Sequence, residues 1–191
     1  MRRLFLVRHA PTHAKTMVGW SDLPADCSDA ASFARLDAHL PADAVLVSSD
    51  LVRAVVTADR LGGARDRWPH VPGLREMNFG AWELRGFAEI EAEDPEHIRA
   101  FWARPGNICP PGGESWNGLA ARVMQALEWL LAQEGGDLVV VSHFGPIVAA
   151  IQRAEGLSPE AAFAHRIENL SVTEIEVEGD TWRLIRANYL A

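Results

Sequence analysis

Arg8-His9 and Ser142-His143 each follow a short apolar run, Leu4-Phe5-Leu6-Val7 in the first case and Leu138-Val139-Val140-Val141 in the second. A third run, Ala44-Val45-Leu46-Val47, leads into Ser48-Ser49-Asp50 and a segment that carries Arg53. Brief aliphatic runs bounded by polar residues read as buried strands. Ligands of open α/β sheets bind beyond the carboxyl ends of the strands. Three such ends would bring two arginines and two histidines to one place, a site for an anion with histidines able to act on it.

A phosphate monoester suits this set. Arginine offers a planar fork of donors that matches phosphate oxygens and keeps its charge at any working pH. A helix starting after Asp50 would turn its positive end toward the same anion. A neutral imidazole can attack phosphorus and hold the phosphoryl group covalently. Nearby cations lower a histidine's pKa and so keep it unprotonated, and they offset the charge that spreads over the phosphoryl oxygens in the transition state.

The rest of the composition narrows the alternatives. A chain of 191 residues, 48% apolar and 23% charged, reads as one globular domain spanning 1–191, long enough to bury roughly 70% of its unfolded surface. A net charge of −8 argues against nucleic acid or an anionic membrane as partner, so an anion site must come from local clustering of cations. Cys27 and Cys109 form neither a disulfide framework nor a metal-ligand spacing, which makes a reducing, cytoplasmic setting the expectation and assigns no metal or other cofactor. No apolar run approaches a membrane span. The apolar stretch after Met1-Arg2-Arg3 stops at Arg8, too soon for a signal peptide.

Strand-like and helix-like segments alternate, which predicts an α/β three-layer sandwich with a mostly parallel central sheet flanked by helices. A helical pattern runs to Leu40. A second helix is expected over about 51–61, with Asp50 as its N-cap and Gly62-Gly63 as its stop. One or two short helices broken near Pro95 should fill 87–104. The strongest helix runs from Trp116 to Leu131, with apolar residues at three- and four-residue steps, Ser115 as cap and Gly135-Gly136 as end. Ser171–Val177 and Trp182–Arg186 alternate around Glu178-Gly179-Asp180, a hairpin signal. The long connections 10–28 and 64–113 should form the mouth of the site. Trp20, Trp82, Trp102 and Trp116 fall in or beside that mouth, where one or two of them could stack on a flat substrate group. Exposed aromatics near the hairpin would support a homodimer, although nothing in the sequence compels one.

These residues resemble the signature of the histidine phosphatase superfamily, which includes the cofactor-dependent phosphoglycerate mutases. The resemblance starts at Leu6-Val7-Arg8-His9-Ala10-Pro11-Thr12 and continues in order through Gly19-Trp20, Ser48–Ala54, Leu74–Gly80, Pro110–Ser115 and Val140–His143. It implies a phosphoglycerate mutase-like fold and a metal-independent reaction in which His9 is the phosphate-accepting nucleophile. It also implies that Arg8, Arg53 and His143 line the phosphate pocket, with His143 counted as catalytic, and that Glu76 is the proton donor to the leaving oxygen. Thr12 either bonds phosphate or caps a turn. The run Glu76–Glu83 and the chain length are most similar to the alpha-ribazole phosphatases, which implies a small phosphorylated metabolite as partner, alpha-ribazole 5′-phosphate of cobalamin synthesis among the candidates. Mutases of this family are longer, and a lid that excludes water matters if a phosphohistidine is to wait for a second hydroxyl; the length therefore favours hydrolysis over isomerisation. A non-catalytic phospho-ligand binder would need neither the nucleophile nor the acid.

Several positions depart from the pattern. Ala10 stands where a glycine is usual, Pro11 where an acidic residue is usual and Lys15 where an asparagine is usual. Phe144 replaces the glycine after the second catalytic histidine. These changes fall on the rim that would face a substrate, so they bear on specificity more than on the reaction.

Overall fold

The computed structural model describes residues 1–191. Its centre is a six-stranded sheet in the order β3-β2-β4-β1-β5-β6, built from β1 (Arg2–Arg8), β2 (Val45–Ser48), β3 (Asp66–Arg67), β4 (Leu138–Ser142), β5 (Val172–Glu178) and β6 (Thr181–Tyr189). β1, β2, β3 and β4 pair in parallel, and β5 runs antiparallel to both β1 and β6. The sheet is thus mixed, with the expected parallel centre and the expected hairpin at one edge.

Alternation along the strands divides the core. Leu4, Leu6, Val45, Val47, Leu138 and Val140 face one side, packed under α5 (Trp116–Ala132), α6 (Phe144–Glu155) and the shorter α3 (Phe87–Glu93) and α4 (Pro95–Ala103). Phe5, Val7, Leu46, Val139 and Val141 face the other side, under α1 (Ala30–His39) and α2 (Val52–Arg60). A four-residue α7 (Pro159–Ala162) precedes the hairpin. No helix is long and apolar enough to cross a membrane.

Two helix ends differ from expectation. Asp50 is not the cap of α2. Leu51 holds the N-cap position without a side-chain bond, and the Val52 N–H donates instead to Asp22 at 2.6 Å. Asp50 is drawn away by a stronger partner, the guanidinium of Arg75, which donates to both of its oxygens, a bidentate charge-assisted pair. α5 ends at Ala132, with Gln133 already extended, rather than at Gly135-Gly136. The Arg2 guanidinium donates to the Leu131 and Gln133 carbonyls there, satisfying acceptors that the last helical turn leaves open. Ser115 caps the start of α5 as expected, accepting from the Gly118 N–H at 3.1 Å.

Candidate active site

β1 pairs with β4 so that Arg8 lies opposite Ser142. The residues that follow, His9 and His143, therefore leave the sheet side by side, with ring centroids 5.1 Å apart. β2 is the next strand over, and α2 rises from its end to carry Arg53. The three strand ends converge as the sequence implies.

His9 is held at both of its backbone ends. Its N–H donates to the Ser142 carbonyl at 3.0 Å, its carbonyl accepts from Asn169 Nδ2 at 2.8 Å, and the next N–H, of Ala10, donates to Thr57 Oγ1. The ring Nδ1 lies 2.6 Å from the Ala10 carbonyl. A carbonyl can only accept, so the hydrogen is on Nδ1 and the free lone pair is on Nε2. Burial, with Arg53 and Arg8 adding to it against the Ala10 bond, lowers the His9 pKa to about 3. The imidazole is thus neutral and nucleophilic across the working range.

His143 is fully buried at the N-cap of α6, and neither ring nitrogen has a protein partner. Burial, with its neighbours His9, Arg53 and Arg8 adding to it, holds it well below the usual histidine range. Arg8 Nε is likewise buried and unpaired, while its Nη1 donates to the Ile167 carbonyl. Buried polar atoms are rarely left unpaired in folded proteins. Three of them lie in one cluster, and an anion's oxygens would accept from Arg8 Nε and from the one His143 ring nitrogen that carries the hydrogen.

Arg53 is 1% exposed and donates to the Gly19 and Ser21 carbonyls at 2.6 and 2.9 Å. This draws the loop 10–28 over the head of α2. Glu83 secures the same loop from the opposite side. Its carboxylate accepts from the backbone N–H groups of Gly19, Trp20, Ser21 and Phe79 and from the Ser21 hydroxyl. Burial opposes its ionisation, but the Ser21 hydroxyl and these N–H groups together hold it below the usual carboxylate range. Gly19 fits only as glycine, since a Cβ there would stand 2.0 Å from the Met77 carbonyl.

Glu76 is buried beside the start of α6, accepting from the N–H groups of Met77 and Gly145. Burial raises its pKa, against those two bonds and the pull of Arg53 and Arg8. A carboxyl so placed can keep a proton to give. Arg122 on α5 steadies the segment that bears it, donating to the Gly73, Arg75 and Glu76 carbonyls and pairing with Glu114. Trp20 Nε1 also donates to the Glu76 carbonyl, and the Arg75 guanidinium lies over the Trp20 ring.

The Thr12 hydroxyl accepts from the Ala14 N–H at 3.4 Å, a turn contact, and Lys15 is exposed. Trp82 and Trp116 are buried, whereas Trp20 and Trp102 are each 38% exposed at the mouth. No group of three or more His, Cys, Asp or Glu side chains is placed to hold a metal ion. Glu83, Arg122 and Asn169 were not singled out in the sequence, where each reads as an ordinary surface polar residue because its partners are remote in the chain.

Residues 4–190 match the model of the histidine phosphatase superfamily, branch 1. The chain belongs to that superfamily and is a phosphatase. It is 31% identical over 183 residues to an adenosylcobalamin/alpha-ribazole phosphatase of Salmonella typhimurium, covering 92% of this chain and 90% of that one. Among solved structures it resembles YhfR of Bacillus stearothermophilus, with a TM-score of 0.90 and 26% identity over 100% of this chain and 98% of that one. It also resembles a mycobacterial glucosyl-3-phosphoglycerate phosphatase, with a TM-score of 0.86 and 30% identity over the whole of both chains.

Proposed function

We propose that this phosphatase hydrolyses a small phosphate monoester through a phosphohistidine at His9. Nε2 attacks phosphorus while the bond to the leaving oxygen breaks and Glu76 gives that oxygen its proton. Arg8, Arg53 and His143 hold the phosphoryl oxygens and offset the charge that builds on them. Water then attacks the phosphohistidine, the Glu76 carboxylate takes its proton, and phosphate leaves with His9 neutral again. The observation that carries this reading is the set of unpaired buried nitrogens, Arg8 Nε and both of His143, beside a histidine whose free lone pair is on Nε2.

The Salmonella relative's name supports alpha-ribazole 5′-phosphate as the first substrate to try. The test is phosphate release from that compound, 3-phosphoglycerate, nucleoside monophosphates and sugar phosphates, with and without chelator, by the wild type and His9→Ala. Turnover that survives chelator and disappears in His9→Ala is expected. Turnover that persists in His9→Ala, or that needs added divalent ion, would overturn the mechanism.

A further inference from the structure

Beside Glu76 lies a small pocket walled by Met77, Phe79, Trp102, Trp116, Phe144 and Phe163, and the sole charged side chain on its lining is Glu76 itself. The Phe163 ring is its hub, with centroids 4.5 Å from Trp116, 6.2 Å from Phe144 and 6.3 Å from Trp102. Trp116 turns its one polar atom away, donating Nε1 to Gln152 at 2.8 Å. Apart from Glu76, the wall facing the pocket is therefore apolar. It is not sealed core, because Trp102 is 38% exposed.

Two residues join this pocket to the phosphate cluster. Glu76 stands on its wall while interacting with Arg8 and Arg53. Phe144 lines it too, and the Arg8 guanidinium lies 5.9 Å from the centre of its ring. Under the mechanism proposed above, on which this inference rests, the leaving oxygen sits within hydrogen-bond reach of Glu76. The carbon chain beyond that oxygen then has the aromatic wall as its neighbour. A carboxylated chain entering there would lose water without gaining polar partners, a costly exchange, and its carboxylate would meet no cation.

We infer that the pocket is the leaving-group subsite and that it selects phosphate monoesters whose alcohol carries an aromatic ring or short hydrocarbon chain over those whose alcohol carries a charge. Burying one ring there is expected to favour the apolar ester by ~10- to 100-fold.

The experiment compares kcat/KM for 2-phenylethyl phosphate, ethyl phosphate and 3-phosphoglycerate, all esters of alkyl alcohols. The phenylethyl ester should lead ethyl phosphate by tenfold or more, with 3-phosphoglycerate last. Trp102→Ala and Phe163→Ala should each shrink the phenylethyl-to-ethyl ratio toward one. Because Phe163→Ala could unsettle the fold, the half-exposed Trp102 carries the decision. A ratio near one in the wild type, or a ratio that Trp102→Ala leaves intact, would overturn the inference while leaving the phosphohistidine reading in place. Should none of these esters turn over, the phosphohistidine reading is judged by the wider substrate panel and His9→Ala above. The affinities of 2-phenylethylphosphonate and ethylphosphonate, measured by calorimetry, then judge the pocket alone: a tenfold preference for the former upholds it, and equal affinities reject it.

Discussion

The Gly145 N–H donates to the Glu76 carboxylate at 3.0 Å, and a Cβ on Gly145 would lie 2.3 Å from Glu76 Oε1. The carboxyl is thus seated on the first turn of α6 in a space only glycine leaves open. Leu119 Cδ1, 3.0 Å from the same point, bars the other direction. Gly145→Ala should push the carboxyl off its position. A shift of about 1 Å at a catalytic group can cost ~10²-fold, so turnover of an alkyl phosphate is expected to fall by roughly that factor. Steady-state rates on ethyl phosphate and nitrophenyl phosphate check it, with the larger loss on the ethyl ester. An unchanged rate on both would show that the seat does not matter.

The pH dependence of Glu76 follows from its raised pKa, which burial causes. In the proposed mechanism the protonated form is the donor, so turnover of poor leaving groups should decline as pH rises through the folded pKa, while nitrophenyl phosphate, whose leaving group needs no proton, should decline less. Glu76→Gln should cost alkyl phosphates ~10²–10⁴-fold and flatten that limb. Equal losses of kcat/KM on both substrates in Glu76→Gln would argue against the donor role. The same shift has a stability side. A carboxyl with a folded pKa above its unfolded one stabilises the fold below the unfolded pKa, and that contribution is lost as pH rises through the folded value.

His9 acts on stability with the opposite dependence on pH. Its folded pKa of about 3 lies below the unfolded 6.5, so between these values the unfolded chain binds a proton that the folded one does not. Stability should fall as pH drops from 6.5 toward 3, by on the order of 1.4 kcal/mol per unit for this one group. Urea midpoints of the wild type and His9→Asn across that window provide the check. A shallower slope in the variant is expected, and parallel slopes would mean that His9 titrates normally.

Arg122 should matter to both stability and rate. Its side chain ties Glu114 to three carbonyls of the 73–76 segment, and hydrogen bonds to charged groups are the stronger kind. Arg122→Met is expected to cost about 2 kcal/mol, which lowers Tm by roughly 4–8 °C in a chain of this size. It should also reduce kcat on alkyl phosphates more than on nitrophenyl phosphate, because it frees the segment that aims Glu76. A drop in Tm with identical losses on the two substrates would reduce its role to folding alone.

Contacts that the sequence does not show share one cause. Asp50 has the right residue type and position for an N-cap, yet Arg75, distant in sequence, takes it and Asp22 caps α2 in its place. Glu83 resembles any acidic loop residue until the loop 10–28 folds back and brings it five donors. Phe144 reads as a departure from a glycine pattern; only in the fold is it the shared wall of an apolar pocket and the phosphate cluster.

Local periodicity was enough to place the apolar runs that become β1, β2 and β4, the long apolar face of α5 and the hairpin, because these patterns depend on neighbours a few residues away. It was also enough to put Arg8, His9 and His143 at strand ends. What it could not specify is which side chains meet once the sheet forms. Glu76 and Gly145 are 69 residues apart in the chain, and Asn169 reaches back 160 residues to His9. Such contacts arise from the packing of α5 and α6 on one face of the sheet and the return of the loops across its edge. The tertiary structure alone therefore decided that His9 is held neutral with Nε2 free, that His143 and Arg8 keep unpaired nitrogens, and that an aromatic pocket opens beside Glu76.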